Sequence, residues 1–210
     1  MNKSKKLYFF LNPFAGKGTA YNIFEKLKKV YTSQSEGDIE RFIINEDLSE
    51  FDGICVIGGD GTIHEAIEGL MQSGKSQYLS LGIIPAGSGN AFAEDLGLRD
   101  PIDALENIIT GTISSIDVMK IKTRNKVNFA VNIIGWGMAS NVNILAEKLR
   151  WLGNVRYSIA SLLSIVQIKL QSVNIIIENQ VFNGEAAFFI ALNTIHTGKG
   201  MKRAPKAKVN

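Results

Sequence analysis

Apolar residues change their spacing from one segment of this chain to the next, and the spacing predicts the order of its strands and helices. Residues 6–11 are almost continuously aliphatic and aromatic, as in a buried strand, whereas residues 16–30 place Ala20, Ile23, Phe24, Leu27 and Val30 at helical intervals. Residues 41–45 and 53–57 read as two further strands, separated by the polar stretch 46–52. Helical spacing returns over residues 63–71, with Ile63, Ile67 and Leu70 on one face. Residues 80–85 are strand-like, and 90–96 and 104–109 read as helices. Continuous apolar strands alternating with helices predict a parallel sheet covered on both faces, an α/β domain. Past Gly111 the pattern becomes strand after strand, at 115–121, 127–133, 173–178 and 187–193, broken by one helical hairpin over 143–170. The expected organisation is an α/β domain over residues 1–119 and a β-rich domain over 120–210. The second has too few strands to complete a sandwich, so the chain reads as a C-terminal truncation.

Composition narrows the class. With 45% hydrophobic residues and four prolines in 210 residues, the chain has material for a substantial core, and disorder is not expected. The single cysteine, Cys55, lies inside Ile54-Cys55-Val56-Ile57 and reads as a reduced core residue, and one cysteine makes no disulfide framework. The longest apolar stretch, near residues 159–168, is cut by Gln167 and Lys169 and falls short of the roughly twenty residues that span a bilayer. The opening apolar run stops at Asn12-Pro13, short of the roughly seven to fifteen residues of a signal-peptide core. A cytoplasmic protein without a transmembrane segment is expected. The net charge of +3 is concentrated in Lys199, Lys202, Arg203, Lys206 and Lys208, a basic stretch suited to phosphate or an anionic lipid surface, or simply a solvated loop.

Three glycine turns fall where strands should give way to helices: Asn12-Pro13-Phe14-Ala15-Gly16-Lys17-Gly18, Gly58-Gly59-Asp60-Gly61-Thr62 and Pro85-Ala86-Gly87-Ser88-Gly89-Asn90. In a Rossmann-like sheet such turns gather at the carboxyl edge, where glycine lets a phosphate approach the backbone and the next helix offers free N–H groups. Asp60 is the unusual member. An acidic group in a phosphate cradle is unfavourable unless it meets Mg²⁺ or accepts a proton from a hydroxyl, as a carboxylate does in phosphoryl transfer. The plainer reading has Asp60 capping its own helix through the N–H of Ile63 or His64. Lys17 lacks the preceding glycine of a P-loop. His64 and His196 have no ligand-spaced partners, and Trp136 and Trp151 read as core or interface aromatics, with Trp136 also a candidate wall for an acyl chain.

Asn12-Pro13 with Gly16, GGDGTIHE over residues 58–65 and PAGSGNAF over 85–92 together resemble the catalytic domain of diacylglycerol, sphingosine and ceramide kinases. GGDGT alone is shared with NAD kinases and phosphofructokinases; Glu65 and the GSGN turn look like the lipid kinases, as do residues 115–120, 147–157 and 193–210. The resemblance implies a phosphofructokinase-like, Rossmann-like first domain and an incomplete β-sandwich-like second one. It implies ATP and Mg²⁺, a lipid substrate presented at a membrane surface, and no nucleic-acid partner. By the resemblance Asn12, Gly58, Gly59, Gly61, Thr62, Glu65, Gly87, Ser88 and Gly89 hold the nucleotide and Asp60 is the catalytic base. Arg150 and Arg156 would reach the ATP phosphates, although without the resemblance they read equally as solvated helix charges. No metal ligand is singled out.

Two departures qualify the resemblance. Sphingosine kinases carry two aspartates before the segment that begins at Glu147, the second held to bind the substrate amine; the matching substrate-binding positions here are Asn141 and Asn143. An amide cannot neutralise an ammonium, so ceramide or diacylglycerol is favoured over a sphingoid base. The stretch 46–52 is also too short for a parallel crossover, which needs about a dozen residues, so a segment is missing or the sheet is rearranged. Two other readings stand beside the lipid kinase: a non-catalytic lipid- or nucleotide-binding relative, and, less favoured by the GSGN turn, an NAD kinase.

Overall fold

The computed structural model describes residues 6–15, 30–111, 113–137 and 170–195, with isolated positions at 144–145, 148–149, 159, 163 and 204. Residues 16–29 of the helix expected over 16–30, Asn141, Asn143, Arg150, Trp151, Arg156, His196 and nearly all of the basic stretch from Lys199 lie outside the described residues. So does most of the helical hairpin expected over 143–170. The chain divides into two compact units, residues 1–132 with 192–210, and residues 133–191.

In the first unit, β1 (Leu7–Leu11), β2 (Val30–Thr32), β3 (Gly53–Gly58) and β4 (Ser80–Pro85) form one sheet in the order β2-β1-β3-β4. Every pair is parallel, as the alternating pattern predicts. Leu11 pairs with Thr32 on one side and Ile57 on the other, and Gly58 with Pro85, so the carboxyl ends of all four strands lie at one edge. From β1 the chain winds to β2, then crosses back over β1 to β3. This reversal between β1 and β3 is the switch point at which open α/β sheets bind ligands.

One expectation fails here. Residues 41–45 are the end of a helix, α1 (Asp38–Asn45), and the second strand is β2, in the region expected to close a helix. The run Phe42-Ile43-Ile44 has strand-like residues, but Ile39, Phe42 and Ile43 recur at helical spacing. Ile39 and Ile43 are buried against the next helix, α2 (Asp60–Gln72). Where they cross, Gly69 lets α1 approach, because a Cβ there would lie 2.9 Å from that of Ile43. The link from β2 to β3 therefore runs over residues 33–52 and contains its own helix. The crossover is not short, and the departure inferred from residues 46–52 disappears.

The sheet is covered on both faces. Phe10, Ile54, Val56 and Ile83 pack with α1, α2 and the short helix α3 (Ala91–Asp95). Leu11, Ile57 and Ile84 pack on the other side with Leu105 and Ile108 of α4 (Pro101–Thr110). Cys55 is fully buried in β3, and burial pushes its thiol up to about 12. A thiol so raised forms almost no thiolate at pH 8. A thiol reagent is expected to label Cys55 at that pH only as fast as the protein unfolds, and rapid labelling of the native protein would contradict this placement.

Beyond the sheet, β5 (Met119–Lys122) and β6 (Val127–Ala130) form an antiparallel hairpin, and β6 lies against α2. The buried carboxylate of Glu68 joins them: Oε1 accepts from Phe129 N at 2.9 Å and Oε2 from Gln72 Nε2 at 3.0 Å. Glu68→Ala leaves the Phe129 N–H buried without a partner, at an expected cost of about 1–3 kcal/mol. Urea denaturation measures it, and unchanged stability would remove Glu68 as the link.

The second unit contains β7 (Ile133–Gly137), paired with β10 (Phe188–Leu192), and the antiparallel hairpin of β8 (Gln171–Ile177) and β9 (Gln180–Ala186). Residues 127–133, expected as one strand, divide between β6 and β7. Strand β9 was not expected from its pattern, because Asn183, Gly184 and Glu185 interrupt it; the turn before it is closed by Glu178 at φ 53°.

Candidate active site

The first glycine turn starts where β1 ends. Asn12 extends the strand pairing by donating its N–H to Ile57 O at 3.1 Å, and its Oδ1 accepts from Phe14 N at 3.0 Å, folding the chain away from the sheet. Its Nδ2 donates to Thr62 Oγ1 at 3.1 Å, fastening this turn to the first turn of α2. Thr62 is buried, and a side chain on Gly58 would collide with it. Asn12, Gly58 and Thr62 are thus one packed corner at the switch point.

The second and third turns meet backbone to backbone. Ala86 N donates to Gly58 O at 2.9 Å, and a Cβ placed on Gly59 would lie 3.0 Å from Gly87 Cα. Both glycines are required by space, since neither has a left-handed φ. Gly61 differs: among the described residues a Cβ there would meet nothing within 4 Å, so none of them covers the first turn of α2 at this point. Ser88 is exposed on the third turn.

Asp60 does not cap its own helix, because Ile63 N bonds to Gly59 O. Its carboxylate crosses to α3 instead, Oδ2 accepting from Ala91 N and Oδ1 from Phe92 N, each at 3.0 Å. A side chain on Gly89 would crowd this arrangement, since a Cβ would lie 3.2 Å from Oδ2. Glu65, one turn along α2, accepts from Ile39 N in the first turn of α1 at 3.3 Å. Beside it the Asp38 carboxylate accepts from Gln34 N at 2.7 Å, from Ser35 and from Arg41, which holds it down at about 2.

Both carboxylates of the GGDGTIHE segment are therefore turned onto helix N-termini, those of α1 and α3. The N-terminus of α2 is treated differently. Its N-cap is Gly59, which has no capping side chain, and among the described residues no side chain accepts from the N–H of Asp60, Gly61 or Thr62. Thirteen residues of helix dipole end in open amides flanked by bare glycine, an arrangement suited to an anion of several phosphates.

The structure brings together Asn12, Gly58, Gly59, Asp60, Gly61, Thr62, Gly87 and Gly89. It places Ser88 at the rim and Glu65 behind the cradle. His64 is exposed on α2, and among the described residues no three histidine, cysteine or acidic side chains form a metal cluster. Asn90, which the sequence reading passed over, closes the third turn: its Oδ1 accepts from Gly87 N and its Nδ2 donates to Gly87 O, both at 2.9 Å. Its φ is 44°, and the signal available in sequence is the residue type, because asparagine is among the few residues other than glycine that adopt this conformation readily.

Known proteins carry the same arrangement of sequence and fold. The diacylglycerol kinase catalytic domain matches residues 6–121, and the YegS C-terminal NAD kinase beta sandwich-like domain matches residues 132–210. Sphingosine kinase 2 of Arabidopsis thaliana is 32% identical over 79% of this chain, and the diacylglycerol kinase of Bacillus subtilis is 30% identical over 83%. The chain spans 38% and 57% of the lengths of those two relatives. A solved diacylglycerol kinase from Bacillus anthracis superposes with a TM-score of 0.74 at 26% identity, covering all of this chain and 71% of the other. With more than half of its length matched by that catalytic domain, the chain belongs to the diacylglycerol kinase catalytic domain family.

Proposed function

We propose that this protein is an ATP-dependent lipid kinase, transferring the γ-phosphoryl group to a hydroxyl of diacylglycerol, ceramide or a sphingoid base. The observation that carries the reading is the division of labour at the sheet edge. Asp60 and Glu65 satisfy the helix ends beside the cradle, leaving the N-terminus of α2 open to phosphate.

In this reading residues 1–119 bind nucleotide and residues 120–210 form part of a β-rich lipid-binding domain. Gly58, Gly59, Gly61 and Thr62 admit the triphosphate to the α2 amides, Gly87, Ser88 and Gly89 flank it, and Asn12 holds the corner. Each oxygen of Asp60 keeps a lone pair free of α3 and can accept from the lipid hydroxyl. As the hydroxyl oxygen bonds to the γ-phosphorus, its proton passes to Asp60, the bond to the bridging oxygen breaks, and ADP leaves. A Mg²⁺ ion fits these residues as one carried by the nucleotide phosphates with Asp60 nearby, and it would neutralise charge on the transferring group. Arg150 and Arg156, which lie outside the described residues, are proposed as further phosphate ligands on the resemblance alone.

The acceptor is less constrained. The names of the relatives support a lipid, and the second unit has an open cleft of about 420 Å³ lined by Trp136, Val173, Ile175, Ile176, Ala186 and Phe189 with one polar residue, Asn174, and no charged residue among them. Asn141 and Asn143 favour a neutral lipid. No helix among the described residues is long and apolar enough to cross a membrane, which suits a cytoplasmic enzyme docking on the surface that holds its substrate.

The test is Mg·ATP turnover by the purified chain on vesicles containing diacylglycerol, ceramide or sphingosine, with Mg·ATP binding measured in parallel. Phosphorylation of one lipid supports the reading and names the substrate. Binding of neither nucleotide nor lipid overturns it, and lipid binding without nucleotide favours the non-catalytic relative.

A further inference from the structure

We propose that Asn90 is a positioning residue whose side-chain amide sets the direction of the Asp60 carboxylate. The inference rests on the kinase reading for its catalytic consequence, but its structural half can be tested separately.

The first turn of α3 receives no hydrogen bond from the side chain of its own N-cap residue. Asparagine at an N-cap ordinarily has extended backbone and uses its own oxygen to accept from the second or third helical N–H. Asn90 is the N-cap of α3 but sits at φ 44° and ψ 35°, and makes no such cap. Its amide instead closes a ring with both polar groups of Gly87, Oδ1 on the N–H and Nδ2 on the carbonyl. Two consequences follow. The turn 87–90 is tied shut, which holds Gly87 against Gly59, and the first amides of α3 are left for another acceptor.

Asp60 is that acceptor, from 31 and 32 residues away in sequence. Two N–H groups on two different oxygens fix the plane of a carboxylate, where one would leave it free to rotate. The faces not used by α3 then point in a set direction. A base or hydroxyl-orienting group works only when held within a fraction of an ångström of its productive position, so its support affects turnover more than substrate binding. Asn90 touches neither Asp60 nor the open end of α2 by any hydrogen bond among the described residues; it acts through Gly87 and the start of α3.

Two substitutions separate the side chain from the backbone. Asn90→Gly keeps the left-handed conformation without strain and removes both bonds to Gly87. Asn90→Asp keeps the acceptor for Gly87 N and loses the donor to Gly87 O. The first readout is amide hydrogen exchange by NMR, which needs no activity. In the wild type Ala91 and Phe92 are expected to be protected, and Asp60→Ala should remove that protection. Asn90→Gly should speed exchange at both amides by tenfold or more, and Asn90→Asp by less. The second readout is kinetic: Asn90→Gly should lower kcat by ten- to a hundredfold while the Mg·ATP dissociation constant stays within about threefold.

Protection of Ala91 and Phe92 unchanged in Asn90→Gly would overturn the proposal, whatever the enzyme does. So would a dissociation constant that rises as much as kcat falls, because Asn90 would then be a nucleotide contact. A purely structural role would lower the melting temperature but leave kcat per folded molecule and the exchange of these two amides as in the wild type. If the wild type turns over no lipid, the kinase reading fails by itself, and the exchange data still decide whether Asn90 aims Asp60.

Discussion

Asp60→Asn is expected to lower lipid phosphorylation by roughly 10²–10⁴-fold, the range supplied by a positioned general base. The substitution also has a structural cost. Both oxygens of Asp60 accept from backbone N–H groups, Ala91 N on one side and Phe92 N on the other. An asparagine amide can present an oxygen to only one of them. Its NH₂ must face the other, leaving a donor against a donor, at a cost of about 1–3 kcal/mol. A fall in melting temperature of several degrees should therefore accompany the loss of turnover. The two effects are separated by measuring Mg·ATP binding on the folded fraction. Because the open amides of α2 are backbone groups that remain when the Asp60 side chain is changed, nucleotide affinity should change by no more than a few-fold. Turnover within tenfold of the wild type would remove Asp60 from the chemistry and leave it as the cap of α3.

The strands that carry the site were legible because each is an apolar run that leads into a glycine-containing turn: β1 into residues 12–18, β3 into 58–62, β4 into 85–90. Their parallel pairing followed from the helices between them, and α2 and α4 were marked by their own periodicity. The error at residues 41–45 has a physical cause. Phe42, Ile43 and Ile44 favour strands as isolated residue types, and the helix containing them is only eight residues long, too short for its period to dominate. The true second strand has three residues and offers almost no pattern. At the sheet edge, the meeting of the glycine turns and Asp60 could be read from spacing, since turns that follow parallel strands gather at one edge. What could not be read is where the carboxylates point. Asp60 reaches α3 and Glu65 reaches α1 through tertiary contacts that no local rule encodes, and the local rule for Asp60 selected the wrong helix.

The same geometry makes the glycines unequal, and their substitution separates folding from binding. Gly87→Ala should be strongly disruptive, because the atoms it meets are mostly backbone. Its Cβ would collide with Gly59 Cα, lie 3.0 Å from Gly59 N and 2.8 Å from Asn90 Oδ1. Two of those atoms are backbone and the third is held by its bond to Gly87 N, so nothing can swing aside. Relief requires parting the second and third turns, which breaks the bond from Ala86 N to Gly58 O and disturbs the amides that hold Asp60. A loss of about 2–3 kcal/mol or more is expected by urea denaturation. Gly61→Ala adds the same methyl group in the first turn of α2, where it would touch none of the described residues. Alanine there suits a helix better than glycine by up to about 1 kcal/mol, so stability should hold or rise. Mg·ATP affinity should nevertheless fall, by tenfold or more, because the methyl occupies the ground where phosphate would meet the amides. A Gly61→Ala protein that is stable and binds nucleotide like the wild type would place the cradle elsewhere. A Gly87→Ala protein of undiminished stability would mean that the two turns are not in contact.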